Sequence, residues 1–247
     1  MFSMTYLNLL PLKSFISCLQ AFLTSYPDAS PSGCNVHFKR ALRRNLQSRG
    51  LISFVNSCSE FQTFIRYLWG LSLVPPEHIT TVWEGFINDQ YAKLEQSEIM
   101  SEELEEEVSG FLDYFEKTYI GPLNRRTYIR KKKPLFSTGL WNKNQWILTD
   151  GDLTNNSAEG FNSALGLSLQ KNNTIWFLIS QLRQEEAFIR LKLRDESLGA
   201  HDAQRDSSRA LKVVERRRNL KSLVTNYPNL SIKKFMESVS SLYNDNL

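Results

Sequence analysis

Cysteine is scarce in this chain: 247 residues hold three, Cys18, Cys34 and Cys58. An odd and low count excludes a disulfide framework and suits a reducing compartment. The same scarcity argues against structural zinc. Cys34 and His37 have the spacing of a zinc half-site, but the second ligand pair is missing. Glycine-rich phosphate loops are absent too. There is no GxxxxGK followed by Ser or Thr, and no GxGxxG, so nothing marks a P-loop or a dinucleotide fold. Without GxSxG there is no nucleophile elbow. A Cys34–His37 nucleophilic pair is weak, because residues three apart on a strand point to different faces. No internal repeat or low-complexity segment occurs. Residues 1–23 are apolar, but they lack a basic n-region and are interrupted by Pro11 and Lys13, so no signal peptide is expected. No later apolar run approaches the roughly 20 residues that a membrane span needs.

What is present is a globular composition. Hydrophobic residues make up 41% and aromatics 12%, enough for a sizeable core. The formal charge is only +4, so clustering says more than the sum. Phe15, Ile16, Leu19, Phe22 and Leu23 predict an amphipathic helix ending before Pro27. A turn-rich linker follows through Gly33. Cys34 to Phe38 alternates like a short strand. Lys39, Arg40, Arg43 and Arg44 then make a basic helix that Gly50 can stop.

Residues 51–120 read as wholly helical, carried by Phe61, Phe64, Ile65, Leu68 and Trp69, and then by Ile79, Val82, Trp83, Phe86, Ile87 and Tyr91. Glu95 to Glu107 is acidic and reads as a solvated face, which disfavours phosphate there. Between 122 and 153 the chain becomes loop-rich, basic and aromatic. Its run Arg130, Lys131, Lys132, Lys133 and Pro134 fits a nuclear localisation signal, a phosphate-contacting loop or a solvated loop. Asn173 or Thr174 caps a long helix whose core face takes Trp176, Ile179, Leu182, Phe188 and Leu191. A basic helical run with Arg216, Arg217, Arg218 and Lys221 follows. A last helix is expected through Ile232, Phe235, Met236 and Val239.

The stretch Thr154 to Asn162 admits two readings. Asn155 or Asn156 can accept from the free N–H groups of a helix start, with Glu159 in its first turn, where the dipole favours a carboxylate. Alternatively, Glu159 is a metal ligand flanked by amides that orient it.

The order of several short motifs resembles a known family. Tyr26-Pro27 precedes Gly33-Cys34-Asn35-Val36-His37-Phe38, which runs into the basic helix. An all-helical stretch follows, with Leu71-Ser72-Leu73-Val74-Pro75 and Tyr114 to Gly121. Then come Pro134-Leu135-Phe136 with Leu140-Trp141-Asn142, and finally Thr154-Asn155-Asn156 with Glu159-Gly160-Phe161-Asn162. Over residues 13–195 this resembles the C-terminal half of a Mutator-like element (MULE) transposase. The resemblance implies a ribonuclease-H-like core interrupted by a helical insertion. It also implies DNA strand transfer by two Asp and one Glu holding two divalent metals, Mg²⁺ or Mn²⁺. Glu159 would be the third carboxylate, acting as catalytic residue and metal ligand. Cys34, His37, Asn155, Asn156 and Asn162 would neighbour it.

One departure limits what is implied. Aligning on Pro27 and Cys34 places Lys13 where the second Asp would stand, and the first would precede Met1. A single carboxylate cannot hold two Mg²⁺ ions, which dehydrate reluctantly and need more than one fixed oxygen. The expectation is an N-terminally truncated, transposase-derived fragment, nuclear, without a bound metal and inactive alone. It would retain DNA binding through Lys39, Arg40, Arg43, Arg44, Arg130, Lys131, Lys132 and Lys133. No membrane contact is expected, and a homo-oligomer is allowed. Two alternatives stand beside it: a helical protein-interaction module without a nucleic-acid role, and an active transposase if an upstream segment supplies the missing Asp residues. The expected fold is mainly α, with a core remnant at 1–50 holding at most a short strand near 34–38. An all-helical insertion with a basic loop fills 51–150, core helices with the Glu motif 151–200, and a basic helical tail 201–247.

Overall fold

The structure, a computed structural model, describes residues 12–28, 31–97, 99–123, 130, 133–151, 153, 160, 163, 165–167, 174–197 and 208–243. The fold is mainly helical, and no strand occurs among the described residues. The α-helices include α1 (Leu12–Ser25), α2 (Asn35–Ser48), α3 (Ile52–Ser57), α4 (Ser59–Gly70), α5 (Ile79–Val82), α6 (Asn88–Gln96) and α7 (Glu102–Phe115). They continue as α8 (Thr138–Trp141), α9 (Asn144–Leu148), α10 (Ile175–Ser197), α11 (Ser208–Thr225) and α12 (Ile232–Leu242). Contacts divide the chain into two units, Asp28–Thr154 with Arg216–Leu247, and Met1–Pro27 with Asn155–Glu215.

The first unit holds the main core. Here the short strand expected over 34–38 is replaced by the start of α2. Cys34 is extended at the N-cap, and Asn35 already lies in the helix. The physical reason is that a five-residue alternation is ambiguous. Asn35, Phe38, Leu42 and Leu46 form the buried stripe of α2, a helical spacing that outweighs the short period-two pattern. The loop before the helix is pinned by backbone bonds from Gly33 N–H to the Leu140 carbonyl (2.6 Å) and from Asn35 N–H to the Leu153 carbonyl (3.0 Å). Gly50, at φ +71°, turns the chain after α2.

α4 lies at the centre. Every residue from Phe64 to Gly70 is buried. Its N-terminus is capped by sulfur, since Cys58 Sγ accepts from Phe61 N–H at 3.4 Å. At its far end α12 packs closely. A Cβ on Gly70 would sit 3.0 Å from Val239 Cγ1 and 3.3 Å from Met236 Cε. Phe235, Met236 and Val239 are fully buried, so the last helix completes the core. A π-helical turn, Trp83–Ile87, joins α5 to α6, and another, Glu116–Ile120, follows α7. α7 is capped by Ser101, whose hydroxyl accepts from Leu104 N–H at 3.4 Å. Glu102, Glu103 and Glu105 in its first turn match the helix dipole.

Two features hold these helices together. One is an aromatic cluster. Phe115 stacks on Trp83 with centroids 5.2 Å apart and meets Tyr119 at 5.1 Å, while Phe38 stacks on Trp141 at 5.4 Å. The other is a buried polar clasp. Asn142 Nδ2 donates to the carbonyls of Val74 (2.8 Å) and Leu71 (3.4 Å), and its Oδ1 accepts from Asn144 N–H (3.0 Å). Asn144 Nδ2 donates to the Leu73 carbonyl at 2.7 Å. The Pro-containing turn after α4 makes few helical bonds of its own, so these amides satisfy its carbonyls. Asn142→Ala would leave the Val74 carbonyl without its donor in the interior, and a loss of about 1–3 kcal/mol is expected. Urea unfolding measures it. An unchanged midpoint would show that the carbonyls find other donors.

In the second unit, α10 begins with Thr174, whose Oγ1 accepts from Phe177 N–H at 3.3 Å. This is one of the two expected caps. The expected core face is not buried. Trp176 is 76% exposed and Leu191 56%, and Leu182 and Phe188 are exposed as well, whereas Ile179 is half-buried. Periodicity marks an apolar stripe, but whether anything covers it depends on a partner surface that no helical spacing encodes.

Candidate nucleic-acid interface

α2 contains no acidic residue, and its buried stripe leaves Arg40, Arg43 and Arg44 exposed on the outer face. Positions three and four apart on a helix bring Cβ atoms to within about 5–6 Å, so the three guanidiniums share one patch. None of them has a carboxylate partner among the described residues. Arg44 Nε donates only to the Arg40 carbonyl, at 3.4 Å. At the C-terminal end Arg49 is different. It bonds Asn45 Oδ1 and Glu107 Oε2, each at 3.1 Å, and so ties α2 to the acidic α7. The patch is therefore bounded by negative charge on that side.

Two expected phosphate contacts are oriented otherwise. Lys39 points inward, with its ammonium 3.4 Å from the centroid of the Tyr243 ring and 4.8 Å from that of Trp69. Burial pushes its amine down to about 7, and the charge of Arg216 adds to the effect. Arg130 is already neutralised. Its side chain is 12% exposed, and it bonds Glu84 (3.0 Å), Glu116 (2.7 Å) and the Gly121 carbonyl. Of its neighbours, Lys133 is exposed, and Lys131 and Lys132 lie outside the described residues.

Glu159, Asn155, Asn156 and Asn162 also lie outside the described residues. Cys34 is buried at the N-cap of α2 and His37 is half-buried in its first turn. No group of three His, Cys, Asp or Glu among the described residues could hold a metal. Those residues do not fit a two-metal site. No described helix is long and apolar enough to cross a membrane.

The sequence reading missed Lys143. It is 1% exposed, bonds the Ser32 hydroxyl and sits 5.6 Å from the Trp146 ring centroid. Burial lowers its amine to about 8, partly offset by Cys34. No local signal separates it from a surface lysine, because its partner Ser32 is 111 residues away in the chain. Also missed was the lock at the end of α9. Arg217 donates to the carbonyls of Asp150 and Gly151 (2.9 Å to the latter), and Lys221 pairs with Asp150.

The lowered amines give stability a pH dependence. An amine that is harder to protonate in the folded state binds fewer protons there than in the unfolded chain. Stability therefore rises with pH from about 7 for Lys39 and about 8 for Lys143, up to the ordinary lysine range. In phosphate-free buffer the urea midpoint should climb from about pH 7 to about pH 9.5. The slope should be shallower in Lys39→Met, whose stability at neutral pH should equal or exceed that of the parent. An equal slope in the variant would show that Lys39 is not desolvated.

No protein-family model, no curated protein and no solved structure matches the chain.

Proposed function

We propose that this chain binds nucleic acid through the outer face of α2, as a nuclear, transposase-derived protein that does not cut DNA by itself. One observation carries the binding reading: three exposed guanidiniums on one helical face, with no carboxylate among the described residues to neutralise them. A planar guanidinium suits bidentate contact with a phosphate, and a row of them follows a backbone without reading bases. The ordered motifs from Tyr26-Pro27 to Glu159-Gly160-Phe161-Asn162 support the derivation. Lys13, standing where that pattern puts an Asp, supports inactivity, since two-metal chemistry needs several oxygen ligands.

The test is fluorescence anisotropy with a duplex oligonucleotide over a salt series. Three phosphate contacts at a slope of about 0.9 each predict roughly 40-fold weaker binding at about 200 mM than at about 50 mM salt. Supercoiled plasmid with Mg²⁺ or Mn²⁺ should remain uncut. Salt-independent affinity, or none, would overturn the binding reading.

A second reading rests on a different observation. Trp176, Phe188 and Leu191 of α10 are exposed, as are Leu211, Val213 and Val214 of α11. Apolar residues so exposed suit protein contact, and a helical interaction module would use them without any nucleic acid.

A further inference from the structure

We propose that Lys39, at the seam between α2 and the C-terminal helices, forms a seat for a phosphate-type oxyanion. The site is short of acceptors. The Lys39 ammonium makes no hydrogen bond or ion pair among the described residues, and its neighbours are the faces of Trp69 and Tyr243. Trp69 Nε1–H and the Tyr243 hydroxyl are buried without a partner, in residues 3% and 2% exposed. Asn35 Oδ1 is unpaired as well, and the Asn35 side chain lies beside the Tyr243 hydroxyl. The indole N–H remains with no acceptor among the described residues, and the Lys39 ammonium meets two ring faces and solvent but no counter-charge.

Positive charge is concentrated there too. Arg216 of α11 lies 5.2 Å from the Tyr243 ring centroid, opposes the Lys39 charge and donates to the Leu242 carbonyl at 2.9 Å. From α4 the facing group is the neutral Trp69, and from the end of α12 it is Tyr243. A partly desolvated cation held against ring faces with no counter-charge is stabilised when an anion joins it. An oxyanion supplies both the missing charge and the missing acceptors. Lys39 is only half-buried, which leaves it open to solvent on one side. Arg43 lies one turn along the same helix, so the seat adjoins the basic face of α2. The proposal rests on the nucleic-acid reading only in taking a backbone phosphate as one source of the oxyanion. Free phosphate is the other.

The experiment uses the full chain with inorganic phosphate as probe, against chloride at equal ionic strength and slightly acidic pH. Phosphate at about ten times its Kd should raise Tm by roughly 3–6 °C. The gain should disappear in Lys39→Met, which should fold because it removes a buried charge, and should persist in the triple variant Arg40→Gln, Arg43→Gln, Arg44→Gln. Competitive acetylation of Lys39 should show its apparent pKa rising when phosphate is added. No Tm gain in the parent, a gain kept in Lys39→Met, or an unmoved Lys39 titration would each overturn the seat. Weaker duplex binding by Lys39→Met supports a backbone phosphate as occupant. Unchanged duplex binding in a variant that no longer responds to phosphate supports the free ion. If duplex DNA does not bind at all while the phosphate gain survives, the seat stands and the nucleic-acid reading falls.

Discussion

Phe115→Ala should come close to unfolding the larger unit. Phe115 is fully buried at the end of α7. Its ring stacks on Trp83 within 6° of parallel, meets Tyr119 at 5.1 Å, and lies edge-on to Phe38 (6.4 Å) and Trp141 (6.5 Å). Those four side chains come from α2, the π-helical turns and α8, so one ring joins segments distant in sequence. Truncation removes the transfer energy of the ring and leaves a cavity that large, rigid neighbours cannot collapse into. The expected loss is about 3–5 kcal/mol, against a total that for a domain is typically about 5–15 kcal/mol. Urea unfolding followed by tryptophan fluorescence reads both the midpoint and the environment of Trp83 and Trp141. Phe115→Leu removes less volume and leaves a smaller cavity, so it should cost clearly less than Phe115→Ala. Equal losses in the two variants would mean that ring geometry, and not the filled volume, carries the contribution of Phe115.

The triple substitution of Arg40, Arg43 and Arg44 by Gln should remove most duplex affinity and leave stability unchanged. All three side chains are exposed and bond no carboxylate among the described residues, and glutamine is a comparable helix former. Each guanidinium withdrawn from a phosphate should lower the slope of log K against log salt by about 0.9, so the slope should fall by about 2.7. The comparison with Arg130→Gln is informative. Arg130 lies between Glu84 and Glu116, so replacing it should perturb stability more than binding, because it leaves two carboxylates without their cation. A triple variant that binds like the parent would place the interface elsewhere. A slope that falls with Arg130→Gln instead would mean that its ion pairs open to admit phosphate.

Much of the fold is legible in the sequence. Phe61, Phe64, Ile65 and Leu68 mark α4, and Phe235, Met236 and Val239 mark α12, because burying one side of a helix imposes a period of about 3.6 residues on a short stretch of chain. The basic character of α2 and the solvated glutamates of α7 are equally local. The inward turn of Lys39 is within reach of the sequence as well. On a helix starting at Asn35 it follows Phe38 by about 100° and falls beside the stripe of Phe38, Leu42 and Leu46, but reading residues 34–38 as a strand breaks that phase.

Tertiary structure alone decided the rest. Arg130 meets Glu84 across 46 residues, and Lys39 meets Tyr243 only because α12 returns to α4. Whether a basic residue faces phosphate, a carboxylate or an aromatic ring depends on which distant segment folds over it. Local pattern sets which residues form a helix and which face is apolar. It carries no information about the partner, since the energy of a contact between segments appears only once the loop between them has closed.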